Sequence, residues 1–508
     1  MNTTLVALRE HLSETALLES TIATLEWDEH TGMPSQAAEF RAQQLSFLTG
    51  LVHQRRTDPR IEEWLDEIAD ETNSETTQSL QSSNLDSSQV QALVRTLRKD
   101  FQRNRKLPQS LVEELARATS MGQQVWVQAK EENRFDLFLP YLKKILQLRT
   151  EEAKCLIEEG KSLYDALLDP YEEGMRTDRL QPIFAKLLAA LVPLVQRASE
   201  ASKKLGPGKL RGPFPINAQR SFSKWVAEQI GFDFERGRLD ETVHPFCTTL
   251  GPHDHRILTR YSEDSFSSGL YGVLHEAGHG MYEQGLDVQW YGTPLGAAAS
   301  LGIHESQSRL WENFIGLSDS FWKWAYPHAV EHFPMLQQIT KQELTKELRK
   351  VEPSLIRIEA DEVTYNLHIL LRFELELALI NQELSVDDLP DAWNEKMQKY
   401  LGLTPPDDRF GVLQDVHWSA GLIGYFPTYT LGNIYAAQLM HAADRDLGGV
   451  DQAVARGEFT PLLNWLRERI HRFGRSLQPN QLIESATQEP VKSDYLIEHL
   501  RTRCESLE

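Results

Sequence analysis

The sequence predicts a mainly α-helical protein with one small antiparallel β-sheet. Residues 1–69 and 88–200 show apolar side chains at helical spacing, and helical periodicity returns after about residue 265. The main strand signal lies within residues 231–262, at Thr242, Val243, Phe246, Thr248, Thr249 and residues 257–261. Neither an internal repeat nor a heptad run is apparent.

Two segments are predicted to interrupt the helices. Residues 71–88 are rich in Ser, Thr and Gln, and we expect an exposed, mobile connection there. Residues 206–213 are rich in Gly and Pro, which end helices, and we place a boundary there.

Charge and cysteine content restrict the class of protein. The 508 residues carry 53 Lys and Arg against 74 Asp and Glu, a net charge of −21, which disfavours nucleic acid or an anionic membrane as a partner. Three scattered cysteines suit a reducing cytosol. We read neither a signal peptide nor an apolar stretch of about 20 residues, and therefore expect a cytoplasmic protein without a membrane span.

Residues 275–279 read His-Glu-Ala-Gly-His. Because each helical residue turns by about 100°, His275 and His279 lie one turn apart on the same face. Two such imidazoles can ligate one tetrahedral zinc ion, and Glu276 lies beside them as a base for a metal-activated water. The pattern is short, and the alternative is a solvated helix face.

The context of this motif favours the metal site. Residues 269–274 are uncharged and mostly apolar, which predicts a buried helix, and buried polar groups are costly unless they are bonded or coordinate a metal. The best third ligand is Glu305, about 26 residues past His279 on a predicted return helix. An ordinary i,i+4 salt bridge to Arg309 is the alternative for Glu305.

A polar stripe is predicted on a long helix from about residue 356 to residue 380. One arc of about 80° holds Arg357, Asp361, Tyr365, His368 and Arg372. The rest of the segment is apolar, so the stripe faces either solvent or a wet cleft. In a cleft, an Arg can bind a carboxylate through two parallel hydrogen bonds.

Residues 411–432 combine aromatic side chains, glycines and polar groups. This density predicts a loop shaped around a ligand rather than a core helix. Near a metal site, a Tyr hydroxyl could donate a hydrogen bond to the oxyanion of a tetrahedral intermediate. A buried aromatic turn is the alternative.

The chain resembles the Taq-type thermostable metallocarboxypeptidases, a family of mostly helical cytosolic zinc peptidases. Six blocks match in order: His244-Pro245-Phe246, Asp254-x-Arg256, the HEAGH motif, His304-Glu305-Ser306-x-Ser308, Ile356-Arg357-x-x-Ala360-Asp361 and GVLQDVHW at 411–418. One departure is visible. The DxRxT block of the family expects Thr at 258, where this chain has Leu258 and places Thr259 one residue later. We expect this difference to affect the shape of the substrate groove, not the chemistry.

The resemblance implies a metal site and a catalytic base. One zinc ion per chain, for which Co²⁺ can substitute, would be held by His275, His279 and Glu305. Glu276 would be the general base and later the proton shuttle. Tyr429 would approach the scissile carbonyl, with His244 as a further polar contact.

The resemblance also implies how a peptide substrate is bound. Arg357 would bind the free C-terminal carboxylate of the peptide. Arg256 and the 411–418 block, through Gln414 and His417, would close the far end of the groove. A blocked groove with a carboxylate clamp favours removal of single C-terminal residues.

We therefore expect a multi-helix zinc-peptidase fold with a deep cleft and the small sheet beside the HExxH helix. Residues 1–205 would form a helical part that covers the cleft, and residues 206–508 the catalytic part. Because related peptidases form homodimers, we expect a homodimer here. Two rival functions stay open. One is an endopeptidase or oligopeptidase with an open groove, which the presence of Arg357 disfavours. The other is a non-catalytic metal-binding scaffold, which the presence of the base Glu276 disfavours.

Overall fold

The computed structural model describes residues 3–73, 87–206, 208–210, 212–243 and 245–508. Most of the predicted mobile connection, residues 74–86, lies outside the described residues, and so does His244. The mainly α-helical prediction is confirmed.

The helices of the first 205 residues are long and follow the predicted periodicity. They are Thr3–Thr31 (α1), Ala38–Arg56 (α2), Arg60–Asn73 (α3), Ser87–Lys106 (α4), Gln109–Glu132 (α5), Phe135–Leu156 (α6), Leu163–Leu168 (α7) and Thr177–Lys204 (α8). The end of α8 agrees with the predicted break at residues 206–213.

Helix α8 corrects the expectation that the chain has no apolar stretch long enough for a membrane. By length and composition alone, Thr177–Lys204 is apolar enough to cross one. Several of its apolar side chains belong to the protein core, where Leu180, Phe184, Leu187 and Leu191 are buried. A core helix passes the same test of composition, so this is weak evidence for a membrane span.

Further helices follow residue 205, with a short β-region between the first two of them along the chain. They are Ile216–Ile230 (α9), Phe266–Gly285 (α10), Leu301–Arg309 (α11), Asp319–His332 (α12), Lys341–Leu348 (α13), Tyr365–Ile380 (α14), Leu389–Leu401 (α15), Pro427–Leu447 (α16), Val450–Val454 (α17), Thr460–Arg469 (α18), Pro479–Thr487 (α19) and Asp494–Glu505 (α20). A π-helical segment, Leu310–Gly316, directly continues α11.

Within the described residues the β-sheet has three strands, Gly237–Glu241 (β1), Phe246–Gly251 (β2) and Asp254–Thr259 (β3), in the order β1-β3-β2. The pair β2–β3 is antiparallel as predicted, but β1–β3 is parallel, so the sheet is mixed. The reason is the chain path. The chain reverses its direction between β1 and β2 and again between β2 and β3, so β3 runs in the same direction as β1. Because β3 lies between the other two strands, it pairs in parallel with β1.

The part of the chain that the structure describes forms two compact units. Unit 1 comprises residues 1–105, 210–341 and 442–489, and unit 2 comprises residues 106–209, 342–441 and 490–508. The HExxH motif and the sheet lie in unit 1, whereas Arg357 and the 411–418 block lie in unit 2. The predicted division at residue 205, with an N-terminal part over a cleft, stays a prediction.

Helix α10 is a buried helix of unit 1 and carries the HExxH motif. It begins after Ser265, whose Oγ accepts a hydrogen bond from the Ser268 N–H at 3.2 Å. Val273, Leu274, Ala277 and Met281 are fully buried, as the apolar sequence predicts. Helix α10 packs against β3, α9 and α11.

Helix α14 begins at Tyr365, nine residues later than the sequence predicts. Asp361 explains the difference. Its Oδ1 accepts hydrogen bonds from the backbone N–H groups of Val363 and Thr364, at 2.9 and 3.0 Å. A short polar side chain that binds the following backbone competes with the helix and is typical of a helix start. Arg357 lies before this start, in a single 3₁₀ turn.

Candidate functional site

Three predicted ligands meet in unit 1. Among the residues that the structure describes, donor atoms of His275, His279 and Glu305 all lie within 4.8 Å of one another. The Oε2 atom of Glu305 lies 3.6 Å from Nε2 of His275 and 3.5 Å from Nε2 of His279. Two imidazoles and one carboxylate converging on one point are typical of a catalytic zinc site.

The far side of each imidazole is already bonded to the protein. Nδ1 of His275 lies 2.8 Å from Oε2 of Glu312, and Nδ1 of His279 lies 3.0 Å from the backbone oxygen of His304. Because a carbonyl oxygen can only accept, Nδ1 of His279 carries the hydrogen, and its Nε2 lone pair is free for a metal. This arrangement fixes the tautomer of a metal-binding His, and the residues present therefore fit a metal ion.

Glu305 is held in place by two neighbours. Arg309 Nε donates to Glu305 Oε1 at 2.6 Å, and Ser308 Oγ donates to Oε2 at 2.9 Å. The salt bridge to Arg309 that was the alternative for Glu305 is present, but it uses Oε1, while Oε2 faces the two histidines. The two interpretations are therefore compatible.

The three ligands differ in their proton affinity. Burial lowers the pKa of His275, but the carboxylates of Glu305 and Glu312 outweigh it and raise this pKa to about 9. Burial and the neighbouring His304 lower the pKa of His279 to about 3. Burial opposes ionisation of Glu305, yet Arg309 and His275 hold its pKa well below the usual value. Since a ligand must lose its proton to bind a metal, protonation of His275 would compete with metal binding at this site.

Glu276 lies on α10 between the two histidines and is only 6 % exposed. Burial raises the pKa of its carboxyl to about 7; His275 lowers this pKa, and Glu305 and Glu312 raise it further. A carboxylate with a pKa close to neutral is suited to act as a general base and then as a general acid.

A second group of predicted residues meets in unit 2, around Asp415. The Oδ1 atom of Asp415 accepts from Arg357 Nε at 3.0 Å, and Oδ2 accepts from Arg372 Nε at 2.7 Å. Burial alone would raise the pKa of Asp415, but the guanidinium groups of Arg372 and Arg357 outweigh it and hold this pKa well below its usual value. Both arginines are buried, Arg372 completely. The polar stripe is therefore not a solvated helix face.

Gln414, His417 and Tyr429 adjoin Arg357. Gln414 Oε1 accepts from the Arg357 N–H at 3.0 Å, and Nε2 of His417 lies 3.2 Å from the Tyr429 hydroxyl. The guanidinium of Arg357 lies over the Tyr429 ring, 5.2 Å from its centroid. Burial lowers the pKa of His417 to about 4, so this imidazole is neutral at pH 7.

The predicted ligand-shaped loop ends earlier than expected. Residues 411–426 form turns, but α16 begins at Pro427, so Tyr429 lies in the first turn of a helix. Two residues of α5 hold the loop. Trp126 Nε1 donates to the Leu413 oxygen at 3.0 Å, and Lys130 Nζ donates to the Gln414 oxygen at 2.8 Å.

The remaining predicted site residues lie elsewhere. Arg256 in β3 donates to the Asp254 carboxylate at 2.9 and 2.8 Å, and its guanidinium lies 4.1 Å from the centre of the Trp27 ring. The side chain of Leu258, where the family block expects Thr, is fully buried in the sheet. His244 is outside the described residues.

Sequence reasoning missed the residues that hold the site residues in place, chiefly Glu312 and Asp415. Glu312 follows Glu305 by seven residues, about two helical turns, and so lies on the same face, which is a readable signal. Asp415 stands inside the 411–418 block, but nothing local in the sequence indicates that its partners are Arg357 and Arg372.

Comparison with known proteins identifies the family. A family model described as Carboxypeptidase Taq (M32) metallopeptidase matches residues 7–504. The chain belongs to the M32 family of metallocarboxypeptidases. It is accordingly a metal-dependent peptide hydrolase of the carboxypeptidase type.

Individual relatives agree along nearly the whole chain. Thermostable carboxypeptidase 1 of Thermus thermophilus is 45 % identical, with 98 % of each chain covered. Carboxypeptidase 1 of Bacillus subtilis is 38 % identical, covering 96 % of this chain and 95 % of the relative. The crystal structure of the M32 carboxypeptidase from Deinococcus radiodurans R1 superposes with a TM-score of 0.92 at 39 % identity, covering 100 % of this chain and 99 % of the other.

Proposed function

We propose that this M32 peptidase uses zinc to remove single residues from the free C-terminus of peptides. The observation that carries the proposal is the arrangement of His275, His279 and Glu305 around one point, with the Glu276 carboxyl between the two histidines along α10. Nitrogen ligands with one carboxylate suit zinc, and Co²⁺ is a chemically similar substitute.

The residues of α10 supply the acid–base chemistry of the proposed reaction. A zinc ion held by the three ligands would polarise the peptide carbonyl and lower the pKa of a water molecule to about 7. Glu276, with a pKa of about 7, takes a proton from the attacking water and returns it to the leaving amine. We assign to the Tyr429 hydroxyl a hydrogen bond to the developing oxyanion.

Arg357 is the proposed clamp for the substrate carboxylate. Its Nε and Nη2 bind Asp415, at 3.0 and 2.9 Å, and its Nη1 donates to the Tyr365 hydroxyl at 3.3 Å. A guanidinium has five donor hydrogens, so one on Nη1 and one on Nη2 are left for a second carboxylate. A pair of parallel hydrogen bonds from these two nitrogens suits the C-terminal carboxylate of a peptide.

The deciding experiment compares a peptide with its C-terminally amidated twin. Both are incubated with the zinc-loaded enzyme, with and without a chelator, and the products are measured by mass spectrometry. We expect stepwise loss of single residues from the free-acid peptide only, abolished by the chelator. Internal cuts in both peptides would instead establish an open groove, and the absence of cleavage would favour a metal-binding scaffold.

Several further assignments belong to the same proposal. Arg256, Gln414 and His417 close the far end of the groove, and His244 is a further polar contact near the substrate. A homodimer, tested by light scattering, and a cytoplasmic location, tested by cell fractionation, also stay predictions.

A further inference from the structure

A chain of contacts in unit 1 leads from the sheet to the metal ligand His279. The ring of His304 stacks on the ring of His279, with centroids 4.4 Å apart and an angle of 23° between the planes. The same residue accepts the His279 Nδ1 hydrogen through its backbone oxygen, at 3.0 Å. His304 therefore contacts His279 in two independent ways.

His304 is held by a carboxylate of α10. Its Nε2 lies 3.0 Å from Oε1 of Glu283, one helical turn beyond His279. Since an ionised carboxylate can only accept, His304 Nε2 carries the hydrogen of this bond. With Nε2 bonded to Glu283, this nitrogen is not presented to a metal, which agrees with the composition of the ligand group, His275, His279 and Glu305.

The other oxygen of Glu283 is bonded to the sheet. Thr249 in β2 donates its hydroxyl hydrogen to Oε2 at 3.1 Å, and the same hydroxyl oxygen lies 3.1 Å from Nδ1 of His255 in the neighbouring strand β3. Both oxygens of Glu283 are thus occupied, and its position is determined by α10, α11 and the sheet together. None of these contacts has a role in the acid–base transfer or the carboxylate binding proposed for this enzyme.

We propose that Glu283 and Thr249 are positioning residues for the metal ligand His279, acting through His304. The sheet thereby has a second role beside structure, because it fixes the carboxylate that orients His304. Partners of this kind, one step removed from a metal ligand, typically change metal affinity by about 10–100-fold when they are removed. The inference rests on the proposed metal site. The experiment is chosen so that a failure of this inference can be told apart from a failure of the proposed function.

The test measures metal binding rather than activity alone. Metal-free protein is titrated with zinc against a chromophoric chelator, and Co²⁺-loaded protein is examined by visible absorption, which reports the ligand geometry directly. Glu283→Ala should bind zinc about 10–100-fold more weakly and shift the cobalt spectrum. Glu283→Gln should recover most of the affinity, because its amide oxygen still accepts from His304 Nε2.

The sheet offers a matched pair of variants. Thr249→Val removes the hydroxyl that binds Glu283 and should also weaken zinc binding. Thr248→Val makes the same change on the adjacent residue, whose side chain leaves the opposite face of β2, and should not. Circular dichroism and thermal unfolding show whether each variant is folded.

Two outcomes would overturn the inference. One is a folded Glu283→Ala protein with the zinc affinity and cobalt spectrum of the wild type. The other is loss of metal in His304→Ala but not in Glu283→Ala, which would make His304 itself a ligand. A wild-type protein that binds no zinc would instead overturn the proposed function.

Discussion

At the scale of single residues, the chemistry depends on carboxylates that burial and neighbouring charges have tuned in opposite directions. The pKa of Glu276 is raised to about 7, whereas that of Glu305 is held well below its usual value. The difference has a physical cause, because Glu305 has a guanidinium partner and Glu276 does not. One carboxyl is therefore suited to proton transfer and the other to holding a cation.

Glu276→Gln tests this division of roles. The amide cannot take a proton, so kcat should fall by about 10²–10⁴-fold. The three proposed ligands are unchanged, so the variant should still bind one metal ion per chain. Peptide turnover and metal content by atomic absorption are measured on the same sample. An active variant with full metal content would remove Glu276 from the base role.

Arg357→Ala tests the carboxylate clamp. Loss of two charge-assisted hydrogen bonds should raise the Kd of a free-acid peptide, measured by isothermal titration calorimetry, far more than the Kd of its amidated twin. The amidated peptide is the control, because it shares every other contact with the enzyme. Equal effects on the two peptides would mean that Arg357 does not read the terminal carboxylate.

Asp415→Asn tests the support of that clamp. The change leaves two buried guanidinium groups, those of Arg357 and Arg372, without their shared anion, and breaking a buried ion pair costs about 3–5 kcal/mol. Urea unfolding should show a marked loss of stability. Asp136→Asn is the matched control, because the Asp136–Arg134 pair is exposed and its loss should change stability little. Similar results for the two variants would contradict a structural role for Asp415.

At the scale of elements, the proposed metal site depends on the close approach of α10 and α11. Gly278, inside the HExxH motif, makes that approach possible. A Cβ atom at this position would lie 2.6 Å from the backbone oxygen of Gln307 and 2.6 Å from Cα of Ser308. Because both are backbone atoms, the helices would have to move apart, and Glu305 would move away from the two histidines.

Gly278→Ala is therefore expected to weaken zinc binding and to destabilise the fold by about 1–3 kcal/mol, the usual cost of overpacking. Chelator competition and thermal unfolding measure the two effects. Gly50→Ala in α2 is the control, since a Cβ there meets nothing within 4 Å and alanine is the better helix former. If Gly278→Ala behaves like the control, the helices do not depend on this contact.

At the scale of the whole molecule, a buried carboxyl makes stability depend on pH. Glu376 is fully buried and accepts hydrogen bonds from Tyr164, Trp418 and the Gly424 N–H, at 2.7, 2.9 and 3.0 Å. It thereby joins α7 and the 411–426 loop to α14. Burial raises the pKa of this carboxyl from 4.5 to about 7, against the effect of these donors.

The sign of the effect follows from linkage. The folded state binds the Glu376 proton more tightly than the unfolded state does, so its contribution is fully present below pH 4.5 and is lost as the pH rises through about 7. The loss is about 3 kcal/mol at about 1.4 kcal/mol per pKa unit. Urea unfolding at pH 5 and pH 8 should therefore show Glu376→Gln becoming relatively more stable than the wild type at the higher pH. A difference between the two proteins that is constant with pH would contradict the raised pKa.

Much of the fold and the core of the site could be predicted from the sequence because they depend on local spacing. Amphipathic periodicity predicts most of the helices, and an i,i+4 pair of histidines on one of them lies on one face. Where a side chain competes with the backbone, as Asp361 does, periodicity alone places the helix start wrongly. The parallel β1–β3 pair was missed for a different reason, since strand order depends on the path of the chain.

What only the tertiary structure decided is which distant residues become partners. His275 is oriented by Glu312, which lies 37 residues away in the chain. His279 is oriented by His304, 25 residues away, and Arg357 by Asp415, 58 residues away. The sequence by itself determined the family, the mainly helical class and the candidate metal ligands, because each is carried by residue types and motifs in a fixed order along the chain. Packing decided the orientation and proton affinity of those side chains, because both depend on burial and on charges that distant segments bring close.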